Sequence, residues 1–367
     1  MRLNRMSFLL ERTVFNMIYD VAVIGAGPAG STLARLLPET LKSVIIDRKN
    51  DGPDSFSKPC GGLLSTDAQK SLSAFALTLP KEFLVDPQIF SVKTIDLKTG
   101  LIRHYQRFYI NLDRHKFDRW LFSLIPAYVE KLEAEVTDIS RENGVFLIIC
   151  KTPDGKTRQI TAKQIVGADG ANSIVRRTFF PYRKMRSYIA IQQWFAEAHR
   201  NPFYSCVFDP ETSDCCSWSI SKDNHFIFGG AFSPKNCRES FEKQKKKLEK
   251  YGFKFGEPIK TEACMVLRPK SFFDFTTGKD GVFLVGEAAG FISPSSLEGI
   301  SFAIDSATVL ADVLSGKAKN PERVYHIKTR KIRLKLLAKI LKCPFMYGPI
   351  LRHLIMASGL NTIKVRE

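Results

Sequence analysis

Short apolar, β-forming runs alternate with a helical period through the first part of the chain. Tyr19–Ile24 is continuous enough to be a buried strand, Ala29–Leu37 follows as a helix, and Ser43–Ile46 is a second strand. That order predicts a parallel βαβ unit and an α/β fold. Two later strands, Gln164–Val166 and Val282–Val285, each run straight into a glycine turn, and the second leads to a helix at Ser301–Leu314. Between them the pattern changes. Tyr188–Glu197, Phe203–Phe208, Ser217–Ile220 and His225–Phe232 are short β-rich runs divided by polar turns at Asp209–Asp214 and Lys222–Asn224. They predict an antiparallel sheet, continued by a charged helix at Asn236–Tyr251 and a strand at Thr261–Leu267. In Glu322–Cys343, Ile327, Leu334, Leu337 and Leu341 fall at helical intervals among lysines and arginines, which predicts one amphipathic helix.

The first strand ends in Gly25-Ala26-Gly27-Pro28-Ala29-Gly30, and the second ends at Asp47-Arg48. Strand, glycine turn, helix, strand and acid is the order a dinucleotide site requires. Gly25 permits the tight turn, Gly27 lets the backbone approach a pyrophosphate, and Gly30 lets the helix pack close to the sheet. Asp47 is placed to accept hydrogen bonds from the hydroxyls of an adenosine ribose.

The two later glycine turns separate NAD from FAD. One is Gly167-Ala168-Asp169-Gly170-Ala171-Asn172-Ser173; the other runs from Gly286-Glu287-Ala288-Ala289-Gly290 through Pro294 to Glu298-Gly299-Ile300. With the N-terminal unit they resemble the FAD segments of the glutathione-reductase-2 class of flavoproteins, which includes aromatic hydroxylases, halogenases and geranylgeranyl reductases. The resemblance implies that Asp169 and Gly170 lie beside the FAD pyrophosphate. It implies that Glu287 contacts the ribitol, although most members have Asp there, and that a helix N-terminus caps the flavin. Arg48, Val136, Gly290, Pro294, Gly299 and Ile300 are counted among the cofactor contacts.

Lys58-Pro59-Cys60-Gly61-Gly62 resembles the Cys-Gly loop of the geranylgeranyl reductase family. So does Asp113-Arg114 with Phe117-Asp118-Arg119-Trp120-Leu121, while Gly-Glu-Ala-Ala-Gly-Phe-Ile-Ser at Gly286–Ser293 resembles the colicin-M-resistance type within that family. Ser217-Trp218-Ser219-Ile220 looks like a degenerate form of the reductases' aromatic motif, with Cys216 and Ser221 departing from it. Leu297 stands where a Gly is usual. The departures fall where substrate specificity is set. Cys60 and Gly61 are expected beside the isoalloxazine, where the thiol either donates a proton and shapes the pocket or is a small buried thiol in a turn. Arg114 either pairs with the flavin or its phosphates or is a surface residue of a charged helix. Trp218 is the best single candidate for a pocket wall; most of the other aromatics of this region are expected to be sheet core.

These readings give a discontinuous FAD-binding domain (17–90, 111–180 and 276–320), a substrate-binding β-sheet domain (91–110 and 181–275) and a basic helical region (321–367). Residues 1–16 are expected to be a poorly ordered extension before a natural start at Met17, with a transit peptide as the alternative. The eight cysteines show no paired spacing, which favours reduced thiols and a cytoplasmic protein. The six histidines show no metal-ligand spacing, so no metal is expected.

The net charge of +18 is concentrated, with five lysines in Lys243–Lys250 and eight Lys or Arg in Arg323–Lys342. No nucleic-acid motif accompanies it, and anionic lipid or an anionic substrate is the better partner. The basic helix either docks the protein peripherally on an anionic membrane or packs its apolar stripe on the body. The expected activity is reduction of a carbon–carbon double bond in an isoprenoid or similar apolar substrate by reduced FAD, with NADPH or another reductant as electron donor. The alternatives are a flavin monooxygenase acting on an aromatic or polyketide-like substrate and a non-catalytic FAD or prenyl-lipid binder.

Overall fold

A computed structural model describes residues 17–48, 58–196, 203–316 and 318–366. The expected N-terminal extension and the end of the strand placed at Tyr188–Glu197 lie outside the described residues. From Met17, β1 (Ile18–Ile24) leads through α1 (Pro28–Leu36) to β2 (Ser43–Asp47). Then come β3 (Leu63–Leu64), α2 (Thr66–Ser73), β4 (Ile89–Asp96), β5 (Ile102–Asn111) and α3 (Arg114–Ser123). A run of four strands follows: β6 (Glu130–Glu133), β7 (Glu135–Glu142), β8 (Val145–Lys151) and β9 (Thr157–Gly167). After α4 (Ile174–Phe179) the chain forms β10 (Ser187–Ala196), β11 (Phe203–Phe208), β12 (Cys216–Lys222) and β13 (His225–Phe232). Next are α5 (Cys237–Glu249), β14 (Lys260–Leu267), β15 (Gly278–Lys279) and β16 (Val282–Leu284). The C-terminal part is α6 (Ile300–Ser315), α7 (Pro321–Lys328), α8 (Arg330–Tyr347), α9 (Pro349–Ser358) and β17 (Thr362–Ile363).

Two sheets organise these elements, as the α/β pattern predicts. In the first, β16, β9, β1, β2 and β6 lie side by side and parallel, and β7 and β8 extend from β9 as an antiparallel meander. Both faces of β1 are covered. Ala22 and Ile24 join a core with Phe146 and Leu284, while Val21 and Val23 join a second core with Leu33 and Leu310. A strand buried on both sides is apolar along its buried length, which is why Val21–Ile24 shows no alternation; half-buried Asp20, ahead of it, is ion-paired with Lys163 at 2.7 Å.

The second sheet has the order β14, β10, β13, β12, β11, β4, β5, β17, antiparallel except between β11 and β4. One face packs on α5, where Phe195, Phe226, Phe228, Phe232 and Phe241 form a closed cluster with Phe228 and Phe241 stacked at 5.4 Å. Most of the aromatics therefore serve as sheet core. The two sheets place β4, β5, β10–β14 on one side of the site and the glycine turns on the other.

Two expectations are corrected here. Lys222 is not a turn residue: it ends β12, is buried, and donates to Asn111 Oδ1 and the Leu112 carbonyl, both at 2.7 Å. Those oriented acceptors replace the water that a lysine in a polar turn would keep. The segment Glu322–Cys343 is not one helix with an inward apolar stripe. It divides at Thr329, whose hydroxyl donates to the Tyr325 and His326 carbonyls, and α8 then runs on to Tyr347. Ile332, Arg333 and Leu336 are the buried residues of α8, whereas Ile327, Leu334 and Leu341 are exposed.

Candidate functional site

The site begins where β1 ends. Gly25 takes φ +100°, and a Cβ there would stand 2.7 Å from the Ala168 carbonyl oxygen. A Cβ on Gly30 would fall 1.8 Å from the Gly25 carbonyl oxygen, so α1 reaches the sheet only because this residue has no side chain. Gly27 differs from both. A Cβ there meets nothing within 4 Å, because the residue faces open space at the N-terminus of α1. The Ala26 N–H donates to Asp47 Oδ2, which ties the glycine turn to the end of β2.

The second turn follows β9. Asp169 Oδ2 accepts from the Ile174 N–H at 2.7 Å, so this carboxylate braces the start of α4. Its Oδ1 is buried and has no partner among the described residues, and burial pushes its pKa up to about 6. Gly170, at φ +73°, again faces open space.

The third turn follows β16 and reaches the first turn of α6, where the N-cap Gly299 makes no side-chain cap. The Ser301 N–H of that turn donates to Glu298 Oε1 at 3.1 Å, and the turn presents the positive end of a sixteen-residue helix. All three turns line one cavity of about 730 Å³. Its wall includes Gly25, Gly27, Pro28, Ala29, Asp47 and Arg48 from the first unit and Asp169 and Gly170 from the second. Glu287, Gly299 and Ile300 come from the third, and Val136, Cys60, Gly61, Arg114 and Trp218 complete the predicted residues that reach it.

Four predicted contacts do not line the cavity. Ala26 and Gly30 act through the turn and the helix packing already described. Gly290, at φ +85°, ends a short 3-10 turn and packs against Met185. Pro294 offers its carbonyl to Arg268 Nε at 2.9 Å.

Two of these residues also have partners within the protein. Glu287 accepts from the Leu267 N–H at 2.9 Å through Oε1, and its Oε2 is ion-paired with Lys58. The longer side chain reaches across to β14 and the Cys60 loop, where an Asp would stop short. Arg114 binds Asp118 one helical turn on, at 2.7 Å. The Cys60 side chain lies close beside it. Burial opposes its charge, but Asp118 and Cys60 outweigh that and hold the guanidinium above its ordinary range. It is therefore not a surface residue.

Around Cys60 the cavity is walled by Tyr109, Tyr204, Trp218, Cys264, Ile292 and Leu297. Gly61 lies against Trp218, 3.7 Å from Cδ1 to the Cβ position, and the Trp218 indole N–H is buried without a partner among the described residues. Leu297 holds φ +55°, the left-handed backbone of the glycine it replaces. Burial is the first cause, ahead of nearby thiols, that lifts the Tyr204 hydroxyl pKa well above the usual tyrosine value.

Lys58 and Tyr204 line the cavity and Lys222 packs against Gly62 at its edge, and the pattern of the chain singled out none of the three. Lys58 stood in the quoted loop and carried a signal, a charge beside a Pro-Cys-Gly-Gly turn. Tyr204 and Lys222 carried none, since only sheet register brings them to Cys60 and Gly62.

These residues fit FAD. Two glycines open onto the cavity where a Cβ would intrude, an acid closes the end of β2, and the N-terminal turn of α6 lines the same space. A family model described as an FAD binding domain matches residues 131–323. Protein CbrA of Escherichia coli O157:H7 is 52% identical over 350 residues, covering 94% of this chain and 98% of that protein. The chain belongs to the CbrA family.

Its fold is shared more widely. A geranylgeranyl bacteriochlorophyll reductase-like protein from Thermoplasma acidophilum superposes with a TM-score of 0.78 at 20% identity, over 95% of this chain and 94% of that one. An HpxO variant from Klebsiella pneumoniae, complexed with FAD, gives 0.66 at 14% identity, over 93% and 94%. This CbrA-family chain thus has an FAD-binding domain within the fold of FAD-dependent oxidoreductases. Among the described residues no helix is long and apolar enough to cross a membrane, and no cluster of His, Cys, Asp and Glu could hold a metal.

Proposed function

We propose that this protein reduces a carbon–carbon double bond in an isoprenoid or similarly apolar substrate. When bound and reduced, at the expense of NADPH or another donor, FAD supplies the hydride. The chain itself binds the alkene, excludes water and delivers the proton. The observation that supports this reading is the compartment around Cys60, where largely apolar walls enclose the Cys60 thiol, with Cys264 beside it, next to the glycine-lined part of the cavity.

Ile292, Leu297 and Trp218 favour a hydrocarbon over a charged substrate, because burying an unpaired charge among them costs far more than burying a chain. The Cys60 thiol is held by its own loop: Sγ accepts from the Gly62 N–H at 3.4 Å. Proton transfer from Sγ to one alkene carbon balances the hydride received by the other, and Arg114 stabilises the negative charge left on sulfur. The free Trp218 N–H gives the pocket one polar handle with which to orient a substrate oxygen.

The test is anaerobic. Holoprotein reduced with dithionite is mixed with prenyl compounds, and reoxidation of the flavin is followed with mass analysis of the product. Reoxidation with a gain of two hydrogens supports the reading; an unchanged reduced spectrum with every compound overturns it. NADPH consumption that strictly requires oxygen moves the assignment to a monooxygenase.

A further inference from the structure

The C-terminal helices carry their apolar residues outward. In α9 the buried side chains are Arg352 and Met356. Arg352 makes a two-pronged ion pair with buried Asp96 of β4, at 3.0 and 3.1 Å, and Arg103 Nε donates to the Met356 carbonyl at 2.8 Å. The helix is therefore fastened to the sheet by its arginine. Ile350, Leu351, Leu354 and Ile355, spaced as one helical face, are left in solvent, with Ile350 75% and Leu354 60% exposed. The neighbouring end of α8 repeats this with Leu341 at 66% and Phe345 at 50%. An ordinary surface helix has the opposite arrangement, and an apolar patch of this extent marks an interaction site.

Charge decides what the patch meets. Between Glu322 and Glu367 stand eleven Lys or Arg and no Asp or Glu. Lys342 lies close enough to Arg107 and Lys339 that, after partial desolvation, their charges help hold its ammonium below the ordinary lysine pKa. Three cations that repel one another beside an apolar surface are relieved by an anion. Arg107 and Lys339 also line the cavity, together with Phe108, which is 60% exposed. The cavity thus reaches the same surface.

We infer that the α8–α9 face, with Arg107, Lys339 and Lys342, docks this protein on an anionic lipid bilayer. Leu341, Phe345, Ile350 and Leu354 enter the region between headgroups and acyl chains, and the cations meet lipid phosphates. The seam lies at the turn between α8 and α9, rather than along the face of Glu322–Cys343 that sequence periodicity suggests. It goes beyond the reductase reading and does not depend on it, because binding is measured with no substrate present.

The experiment is flotation of FAD-loaded full-length protein with vesicles of equal parts phosphatidylcholine and phosphatidylglycerol, against vesicles of phosphatidylcholine alone. The wild type is expected to float with the anionic vesicles only, and high salt weakens its binding. Leu354→Glu abolishes flotation; Lys339→Ala with Lys342→Ala weakens it by on the order of tenfold or more. FAD content and melting temperature of Leu354→Glu stay at wild-type values because the side chain is exposed, and Ile350→Ser serves as a second, milder variant. Failure of the wild type to float, equal flotation with neutral vesicles, or wild-type flotation of both apolar-face variants overturns the inference. So does a wild-type dimer in sedimentation that Leu354→Glu dissociates, which would make the face a self-interface.

Discussion

The two ends of the cavity are made of different material. At the β1–α1 turn the wall is backbone: Gly27 and Gly170 have empty space where a side chain would be, and the recognising groups are N–H groups and helix ends. At the Cys60 end the wall is side chains from β5, β11, β12 and β14, brought together only by sheet register. A backbone site tolerates almost no change in residue type at its glycines, while a side-chain site can be rebuilt without disturbing the fold.

The largest expected effect tests the backbone half. Gly30→Val places carbon atoms inside the Gly25 carbonyl, so α1 must leave the sheet, and the loss exceeds about 4 kcal/mol. No soluble, FAD-containing protein is expected on expression. Gly27→Val separates packing from binding, because its side chain meets only the cavity. It should fold with a near-normal melting temperature yet bind FAD at least tenfold more weakly in a fluorescence titration. If Gly27→Val unfolds instead, the distinction between packing glycines and cradle glycines fails.

The same distinction explains what could be read from the sequence. Gly25, Gly27, Gly30, Asp47, Asp169 and Gly170 announce themselves, since each is a residue type that local backbone geometry demands next to an apolar strand. The α/β fold and the antiparallel second sheet are legible for the same local reason, a period that either alternates or does not. Lys222 is not legible, because nothing near it in sequence says that Asn111 and Leu112, a hundred residues earlier, will receive its ammonium. Arg114 and Glu287 were found by position, but their partners within the protein, Asp118 and Lys58, were not legible, being matters of side-chain reach. For the basic segment, helical spacing gives a stripe but not the direction in which it points, so docking and packing on the body both stayed open in the sequence.

Lys222→Ala probes the side-chain half. It leaves Asn111 Oδ1 and the Leu112 carbonyl buried without a donor, at a cost of about 3 kcal/mol in chemical denaturation. It also frees the Gly62 turn, which packs against the lysine, so the flavin spectrum should shift even where FAD remains bound. Burial lowers the Lys222 pKa to about 8 from 10.5. A base depressed in the folded state contributes stability above its unfolded pKa that is lost as pH falls through the folded one. Wild type minus Lys222→Met should therefore lose stability between pH about 10 and 8.

Asp169 gives a smaller effect of the opposite slope. Its carboxyl is raised by burial from 3.8 to about 6. Its stability contribution is complete below pH about 4 and disappears as pH rises through about 6, by on the order of 2 kcal/mol. Measured on FAD-free protein, wild type should fall relative to Asp169→Asn across that window. Parallel curves would mean that the carboxylate is better solvated than its unpartnered Oδ1 indicates.

The smallest stability change, and the sharpest test of the comparison, is Leu297→Gly. Leu297 is a bulky residue held at φ +55°, a backbone that costs a non-glycine residue on the order of 1 kcal/mol, and glycine removes that cost. Against this, glycine makes the unfolded chain more flexible and gives up the packing of Leu297 beside Ile292 and Trp218. The terms nearly cancel, and the melting temperature should move by only a few degrees. The cavity, however, gains the volume of a leucine side chain next to Cys60. FAD affinity should be unchanged, because no backbone of the cradle moves, while the range of substrates or bound apolar ligands widens toward bulkier ones. A Leu297→Gly protein that lost FAD in step with its ligand selectivity would show that the two ends of the cavity are one unit. Retained FAD with altered ligand range would show that backbone strain at this position is kept for the shape of the substrate end.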